Sequence, residues 1–424
     1  MTTRTRTGSP AASRRRRALV PALAAVALAA TTLGGGSAAT AGHDFTGVDF
    51  DLAALPAPEA DGAAIVDAVD AFSTAHPVRV TGSPTEVMAA QDIAGEFRAL
   101  GYDTSTLDVA VVAGAPTPLK AVTATKRGTT RPDEWIMLIG HYDSVPQTVY
   151  GAYDNGSGTA MLRALARELA DVPTHRSIVF ALYNGEEEGV LASSRHAQAL
   201  KAAGQSITAV LGFDMVGIAW PVVTEQASSC LCLFHGAADR ERFQPLLRDV
   251  NFDFLQFPDH PRKVSVVGTN TRNSDERSFA QQGYPTLRWA GMRTASSYPA
   301  YHLPHDTLDT MVQVAGSRAA LELGMANTLK SAYYTALALD NHAPVPAFTT
   351  SVDGARLVVD GTGTTDEDGG TPALSWDFGD GSTASGPVAQ HTYAAPGTYT
   401  VTLTVADDLW PSVTRATTQS ITVR

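Results

Sequence analysis

Cysteine is nearly absent: the 424 residues contain two, Cys230 and Cys232, in the run SSCLCLF. A disulfide framework and a four-thiolate zinc site are thereby excluded as sources of stability. A bridge between the two would span one intervening residue, near the limit of disulfide geometry, and the spacing leaves the bridged and free states both open. Charge is scarce too, at 17% of residues, and positive charge scarcer still. Of the 31 Lys and Arg, six Arg fall within the first 17 residues, and residues 1–41 hold no acid; residues 42–424 carry 25 basic residues against 43 acidic, a net charge of −18. Nucleic acids and anionic membranes are bound by basic patches, so neither is an expected partner. The apolar run ALVPALAAVALAATTL at 18–33 has 16 residues, short of the roughly 20 that a spanning helix needs.

The segments around that run complete a pattern. MTTRTRTGSPAASRRRR before it is basic and GGGSAATAG after it is small, so residues 1–41 read as a secretory signal peptide cut after Ala41. The mature protein is expected to be secreted and extracellular, with no membrane contact once the leader is removed.

Beyond the leader, hydrophobic residues at 44% are enough for a sizeable core, and 36 Gly with 24 Pro announce many turns. AIVDAVDAFSTA and TEVMAAQDIAGEFRALG have the spacing of amphipathic helices. Strand-like runs then alternate with helical ones: LKAVTATK, EWIMLIGHYD, the helix SGTAMLRALARELADV, the strand RSIVFALYN, the helix SSRHAQALKAAG, and ITAVLGFDMVG. ADRERFQPLLRDVN reads as a further helix, YPTLRWAG as a strand and AGSRAALELGMANTLKSAYYTALALD as a long final helix. Near-continuous apolar strands between helices predict an α/β fold, a mostly parallel mixed sheet covered by helices on both faces. Prolines in NHAPVPAF stop the pattern, so residues 42–341 form one predicted domain and 342–346 a linker. Residues 347–424 contain short alternating strands between Gly, Asp and Pro turns and predict a separable all-β, Ig-like sandwich.

Ligands of open α/β sheets bind outside the carboxyl ends of the strands, and the chemistry-bearing residues cluster there. GHYDS supplies His141 and Asp143, YDNGSG supplies Asp154 and Asn155, NGEEEG supplies Glu186 to Glu188, GFDMVG supplies Asp214, and AYHLPHDT supplies Tyr301, His302, His305 and Asp306. Imidazole mixed with carboxylate suits Zn²⁺ better than Ca²⁺ or Mg²⁺, which prefer oxygen shells. Five ligands are too many for one tetrahedral zinc and fit two if one carboxylate bridges. Two Zn²⁺, three carboxylates and a shared hydroxide sum to neutrality, which a partly buried cluster requires. The other histidines, among them His175 and His342, read as incidental.

In this order the motifs resemble the co-catalytic di-zinc aminopeptidases of metallopeptidase family 28. The resemblance covers about residues 65–340, including RVTGSPTEVMAAQDIAGEFRALGYD near its start. It implies a zinc-exopeptidase type of fold and two Zn²⁺ per chain, one bound by His141 and Asp214, the other by Glu187 and His302, with Asp154 bridging. It implies Glu186 as the general base on a metal-bridged water, Glu188 as a variable surface position, and a cis peptide between Asp154 and Asn155. Asp143 would orient the ring of His141. Tyr301 resembles the residue that donates to the tetrahedral oxyanion, although packing beside a ligand would equally account for it.

The expected activity is hydrolysis of peptide or protein substrates by a secreted metallo-aminopeptidase. Carboxypeptidases and glutaminyl cyclases of similar sequence are the alternatives within the resemblance. SWDFGDGSTASG followed by HTYAAPGTYTVTLTV resembles the PKD domain, which implies a module at 347–424 that binds an extracellular polymer or protein. A non-catalytic secreted binding protein is the alternative from a different class.

Overall fold

The computed structural model describes residues 55–110, 119–218, 230–235, 243, 263–268, 274–291 and 298–424. The leader, the side chains of both cysteines and all but one residue of the helix expected at 238–251 lie outside the described residues.

The chain opens with helices α1 (Gly62–Ala75) and α2 (Pro84–Ala99). Helix α2 begins where its sequence dictates. The Ser83 side chain accepts from the Glu86 N–H at 3.1 Å, Pro84 takes the first turn, and Glu86 reaches back to the Gly82 N–H at 3.2 Å. The sheet follows with β1 (Asp103–Ala110), β2 (Leu119–Lys126) and β3 (Arg131–His141). A π-helical turn at Ala152–Ser157 leads into α3 (Gly158–Leu169), then β4 (Arg176–Tyr183), α4 (Leu191–Ala202) and β5 (Ser206–Asp214). Strands β6 (Cys230–His235) and β7 (Lys263–Gly268), which periodicity did not predict, precede α5 (Glu276–Gln281), β8 (Thr286–Ala290), α6 (Leu308–Ala315) and α7 (Arg318–Asp340).

The eight strands form one mixed sheet in the order β1-β2-β4-β3-β5-β8-β6-β7. The central run β4-β3-β5-β8 is parallel throughout, so the carboxyl ends of these four strands share one rim. Alternation along each strand divides the core between the two faces. Ile136, Leu138, Ile178, Phe180 and Leu182 meet α1, α2, α3 and α7, whereas Met137, Ile139, Val179, Ala181 and Tyr183 meet α4 and α5. Every residue of β4 is buried, as expected of a parallel strand covered on both faces. Among the described residues no helix is long and apolar enough to cross a membrane.

The C-terminal region is an all-β sandwich. β9 (Thr349–Asp353), β10 (Arg356–Asp360) and β13 (Val388–Thr392) make one sheet; β11 (Ala373–Asp377), β12 (Thr383–Ser385), β14 (Gly397–Ala406) and β15 (Thr414–Val423) make the other. Inward residues Leu357, Val359, Trp376, Val401, Leu403 and Val405 form its separate core.

The sandwich is not loosely tethered, which corrects the expectation of a freely separable module. Arg176, at the start of β4 and fully buried, donates to Asp368 of the sandwich at 2.7 Å and to Glu134 at 3.0 Å. The Asp340 carboxylate at the end of α7 accepts from the backbone N–H groups of His175 and Arg176 at 2.9 and 2.7 Å. His342 lies in the expected linker and is buried, with Nδ1 2.9 Å from Asp368. Neither His175 nor His342 is thus an incidental loop residue. Removing one partner of a buried ion pair leaves the other charge uncompensated, at a cost of about 3–5 kcal/mol. Arg176→Met should therefore lower the unfolding free energy of the full chain, read from urea denaturation, by an amount of that order, and a change within experimental error would show that the interface contributes nothing.

Candidate metal centre

The rim holds the polar residues where parallel strands end. His141 closes β3, Asp214 closes β5, and the glutamates follow β4. The turn at 152–157 brings in Asp154, and His302, with φ +55°, lies on the loop ahead of α6.

The five expected ligands converge, although they come from chain segments far apart in sequence. One oxygen of Asp154, Oδ1, lies 3.5 Å from His141 Nε2, while its Oδ2 lies 3.2 Å from His302 Nε2. Asp214 Oδ1 is 3.9 Å from His141 Nε2, and Glu187 Oε2 is 3.2 Å from His302 Nε2. Ligand atoms of His141, Asp154 and Glu187 all lie within 4.8 Å of one another, and so do those of His141, Glu186 and Asp214. The peptide bond between Asp154 and Asn155 is cis.

Each element is held by hydrogen bonds to neutral groups. Asn155 Nδ2 donates to the carbonyls of His141 and Phe213 at 3.2 and 2.9 Å, and its Oδ1 accepts from the N–H groups of Gly158 and Met215 at 2.9 and 3.2 Å. One amide side chain thereby ties β3, β5 and α3 together. Asp143 is fully buried; its Oδ1 lies 3.4 Å from His141 Nδ1, and its oxygens accept from the N–H groups of Glu186 and Glu187 at 3.4 and 3.3 Å. It holds the backbone of the glutamate loop and lies beside the histidine ring.

Arg79 escaped sequence reasoning, and Asp306 and Glu188, both noticed there, received no positioning role. Asp306 is buried and accepts from the N–H groups of Tyr153 and Asp154, both at 3.0 Å, and from the Tyr298 hydroxyl at 2.7 Å. Arg79 is buried and donates to four carbonyls, those of His76, Tyr142, Tyr150 and Gly151, at 2.6 to 3.0 Å. Burial pulls its guanidinium down to about 10, so it stays charged at neutral pH. Glu188 accepts from the Thr81 hydroxyl at 2.8 Å, and that hydroxyl also lies 3.3 Å from Asp143. Glu188 is exposed, as expected of a surface acid, and its carboxylate is also tied to Thr81. Tyr301 stacks on the His302 ring, with centroids 3.9 Å apart.

The donor set fits divalent cations. Two imidazoles and three carboxylates converge here, Asp154 faces both imidazoles, and Glu187 keeps a second oxygen, Oε1, buried without a hydrogen bond. The electrostatics point the same way. Burial and the Asp154 charge push the Glu187 carboxyl up to about 7. Burial draws His302 down, but its contacts with Asp154 and Glu187 outweigh that and raise it to about 10. The cluster holds more negative charge than its protein surroundings neutralise, which is what bound cations would correct.

An α/β fold of this topology with an acid–imidazole cluster on the rim defines a metallohydrolase type of site. Residues 121–325 match the family described as Peptidase family M28, and residues 341–423 match the PKD domain. The chain carries an M28 peptidase domain followed by a PKD domain. It is 30% identical over 179 residues to Aminopeptidase YwaD of Bacillus subtilis, covering 41% of this chain and 36% of that protein. It is 34% identical over 175 residues to a "Probable zinc metalloprotease" of Pyricularia oryzae, covering 36% of this chain and 34% of that one. The chain thus spans about a third of the length of these curated relatives. The LapA aminopeptidase structure of Legionella pneumophila shares the fold with a TM-score of 0.51 at 22% identity, covering 66% of this chain and 72% of that one. A glutaminyl cyclase structure of Bacteroides thetaiotaomicron shares it with a TM-score of 0.52 at 17% identity, covering 66% and 99%.

Two outcomes test the site. A carboxyl raised from the ordinary 4.5 to about 7 on folding makes the folded chain bind more protons than the unfolded one in that window. Stability of chelator-stripped protein should therefore fall as pH rises from about 4.5 to 7. His302, raised from 6.5 to about 10, extends the fall, because its contribution is complete below 6.5 and lost through 10. Chemical denaturation of Glu187→Gln across pH 4.5–7 should show a flatter slope than the parent, and an unchanged slope would contradict the assignment. The second outcome concerns Asp306. Asp306→Asn turns one acceptor of the Asp154 loop into a donor, and should weaken zinc binding by about 10–100-fold in competition with a chromophoric chelator.

Proposed function

We propose that the protein is an exported, zinc-dependent exopeptidase, an aminopeptidase that releases N-terminal residues from peptides. The observation that carries this reading is Asp154, whose two oxygens face His141 and His302 separately. His141, Asp154 and Asp214 would hold one zinc; Asp154, Glu187 and His302 would hold the other. Bound there, two zinc ions supply a water of lowered pKa and polarise the scissile carbonyl. The names of the Bacillus relative and of a "Probable leucine aminopeptidase" of Arthroderma otae, 29% identical over 192 residues, support the aminopeptidase reading. The basic, apolar and small segments of residues 1–41 support export.

The remaining roles fall to the chain's own groups. Glu186 is half-buried beside His141 and Asp214, with its backbone fixed on Asp143. It takes a proton from the attacking water on a carboxylate oxygen and returns it to the leaving amine. Asp143 holds the His141 ring through Nδ1, leaving Nε2 to face Asp154 and Asp214. Tyr301 is assigned to the oxyanion, its ring fixed by the stack on His302. The PKD domain is assigned no catalytic part and offers a surface for an extracellular polymer or protein.

Glu186→Gln should lower turnover of amino-acid amides by about 10²–10⁴-fold while two zinc ions stay bound, because the residue moves protons. Glu187→Gln should lose one zinc. The reverse pattern would shift the two roles by one residue. Product analysis on free and N-acetylated peptides decides the activity: release of the first residue from free peptides alone fits an aminopeptidase. Release of C-terminal residues, or cyclisation of N-terminal Gln, would overturn it.

A further inference from the structure

The far end of β4 carries a second cluster of metal-ligating groups. β4 has eight residues, so His175, just before it, lies about 25 Å from the glutamates that follow it. His175 is fully buried where the peptidase domain meets the sandwich. Facing it are Asp407 and Asp408, from the turn between β14 and β15. His175 Nε2 lies 4.0 Å from Asp407 Oδ2 and 3.8 Å from Asp408 Oδ1, and all three atoms fall within 4.8 Å of one another.

Hydrogen bonding fixes the tautomer of this imidazole. The Thr130 hydroxyl lies 2.7 Å from the Asp368 carbonyl and 2.9 Å from His175 Nδ1. A carbonyl only accepts, so the single Thr130 proton goes to it, and His175 must donate from Nδ1 to the Thr130 oxygen. In the neutral ring the Nε2 lone pair then points at carboxylate oxygens. Nε2 is buried and makes no hydrogen bond, and its separations from both oxygens are too long for one. They suit donors arranged around a common cation.

The carboxylates are prepared in the same way. Asp407 Oδ1 accepts from the N–H groups of Leu409 and Trp410 at 2.9 and 2.6 Å, whereas its Oδ2 is buried without a hydrogen bond. Asp366 Oδ1 accepts from the Asp368 N–H at 2.9 Å, and its Oδ2 is likewise buried without one. A Cβ at Gly370 would stand 2.1 Å from Asp408 Oδ1, so a side chain there would displace that oxygen.

We propose that His175, Asp407 and Asp408 form a structural site for a divalent cation of the zinc class that staples the sandwich to the peptidase domain. An imidazole nitrogen among the donors selects zinc over calcium or magnesium. Ligands drawn from the peptidase domain and the sandwich together give the site its structural role. The site is separate from the candidate metal centre and does not depend on what that centre catalyses.

The test counts ions in the full chain. Chelator-stripped parent, His175→Gln and Asp408→Asn are dialysed against Zn²⁺, and bound zinc per chain is measured by elemental mass spectrometry. Each variant should hold one zinc fewer than the parent, whatever number the other site contributes. Asp408 is partly exposed, so Asp408→Asn keeps the test valid should His175→Gln fail to fold. Equal counts in the parent and the folded variants would overturn the proposal and leave His175 as a packing contact beside the two aspartates. Displacement of the additional zinc by equimolar Ca²⁺ would overturn the choice of metal class.

Discussion

One carboxylate has to face two imidazoles that arrive from opposite parts of the chain. Asp154 presents one oxygen to His141 and the other to His302, and the rest of the rim is arranged so that it can. Buried acids repel one another, so the loop that carries Asp154 would move away from Glu187 and Asp214 unless it were fixed. It is fixed mainly through backbone amides. Asp306 takes the N–H groups of Tyr153 and Asp154, and Asn155 spans the ends of β3 and β5 with one side chain. Such bonds position the acid without neutralising it, which leaves its lone pairs for cations.

Arg79 shows the same economy. A buried guanidinium next to this many carboxylates would ordinarily pair with one of them. Its N–H groups go instead to the carbonyls of His76, Tyr142, Tyr150 and Gly151, clamping the two loops that flank the Asp154 turn. Its charge acts on Asp306, Asp143, Asp154 and Glu187 through space. The site gains a compensating field while no ligand oxygen is lost to an ion pair.

Legibility in the sequence divides along physical lines. The strands β3, β4 and β5 announce themselves because burial on both faces demands near-continuous apolar runs. The ligands stand out because His, Asp and Glu at the ends of such strands have few other reasons to be there. Arg79 gave no such signal, and Asp306 stood out by its motif without showing its role, because their partners lie 72 and 153 residues away. Glu188 was read as a surface acid because a run of three acids is usually solvated, and it is exposed; its bond to Thr81, 107 residues earlier, left no trace in the sequence. The interface was the largest miss. Two prolines in NHAPVPAF read as a loose linker, yet His342 in that segment pairs with Asp368, and Arg176 meets the same carboxylate from the other domain. Pairing across domains leaves no periodicity in either segment.

That interface and the candidate centre occupy the two ends of one strand. Glu186 and Glu187 follow β4, while His175 and Arg176 stand at its start, held by Asp340 and Asp368. Between them every residue is buried, paired with β2 on one side and β3 on the other. An isolated element could swing, but this one cannot shift without breaking two ladders and opening both halves of the core. The sandwich therefore braces the strand that positions the glutamates. Close-packed interiors have low compressibility and transmit strain, so the buried strand couples the sandwich interface mechanically to the rim.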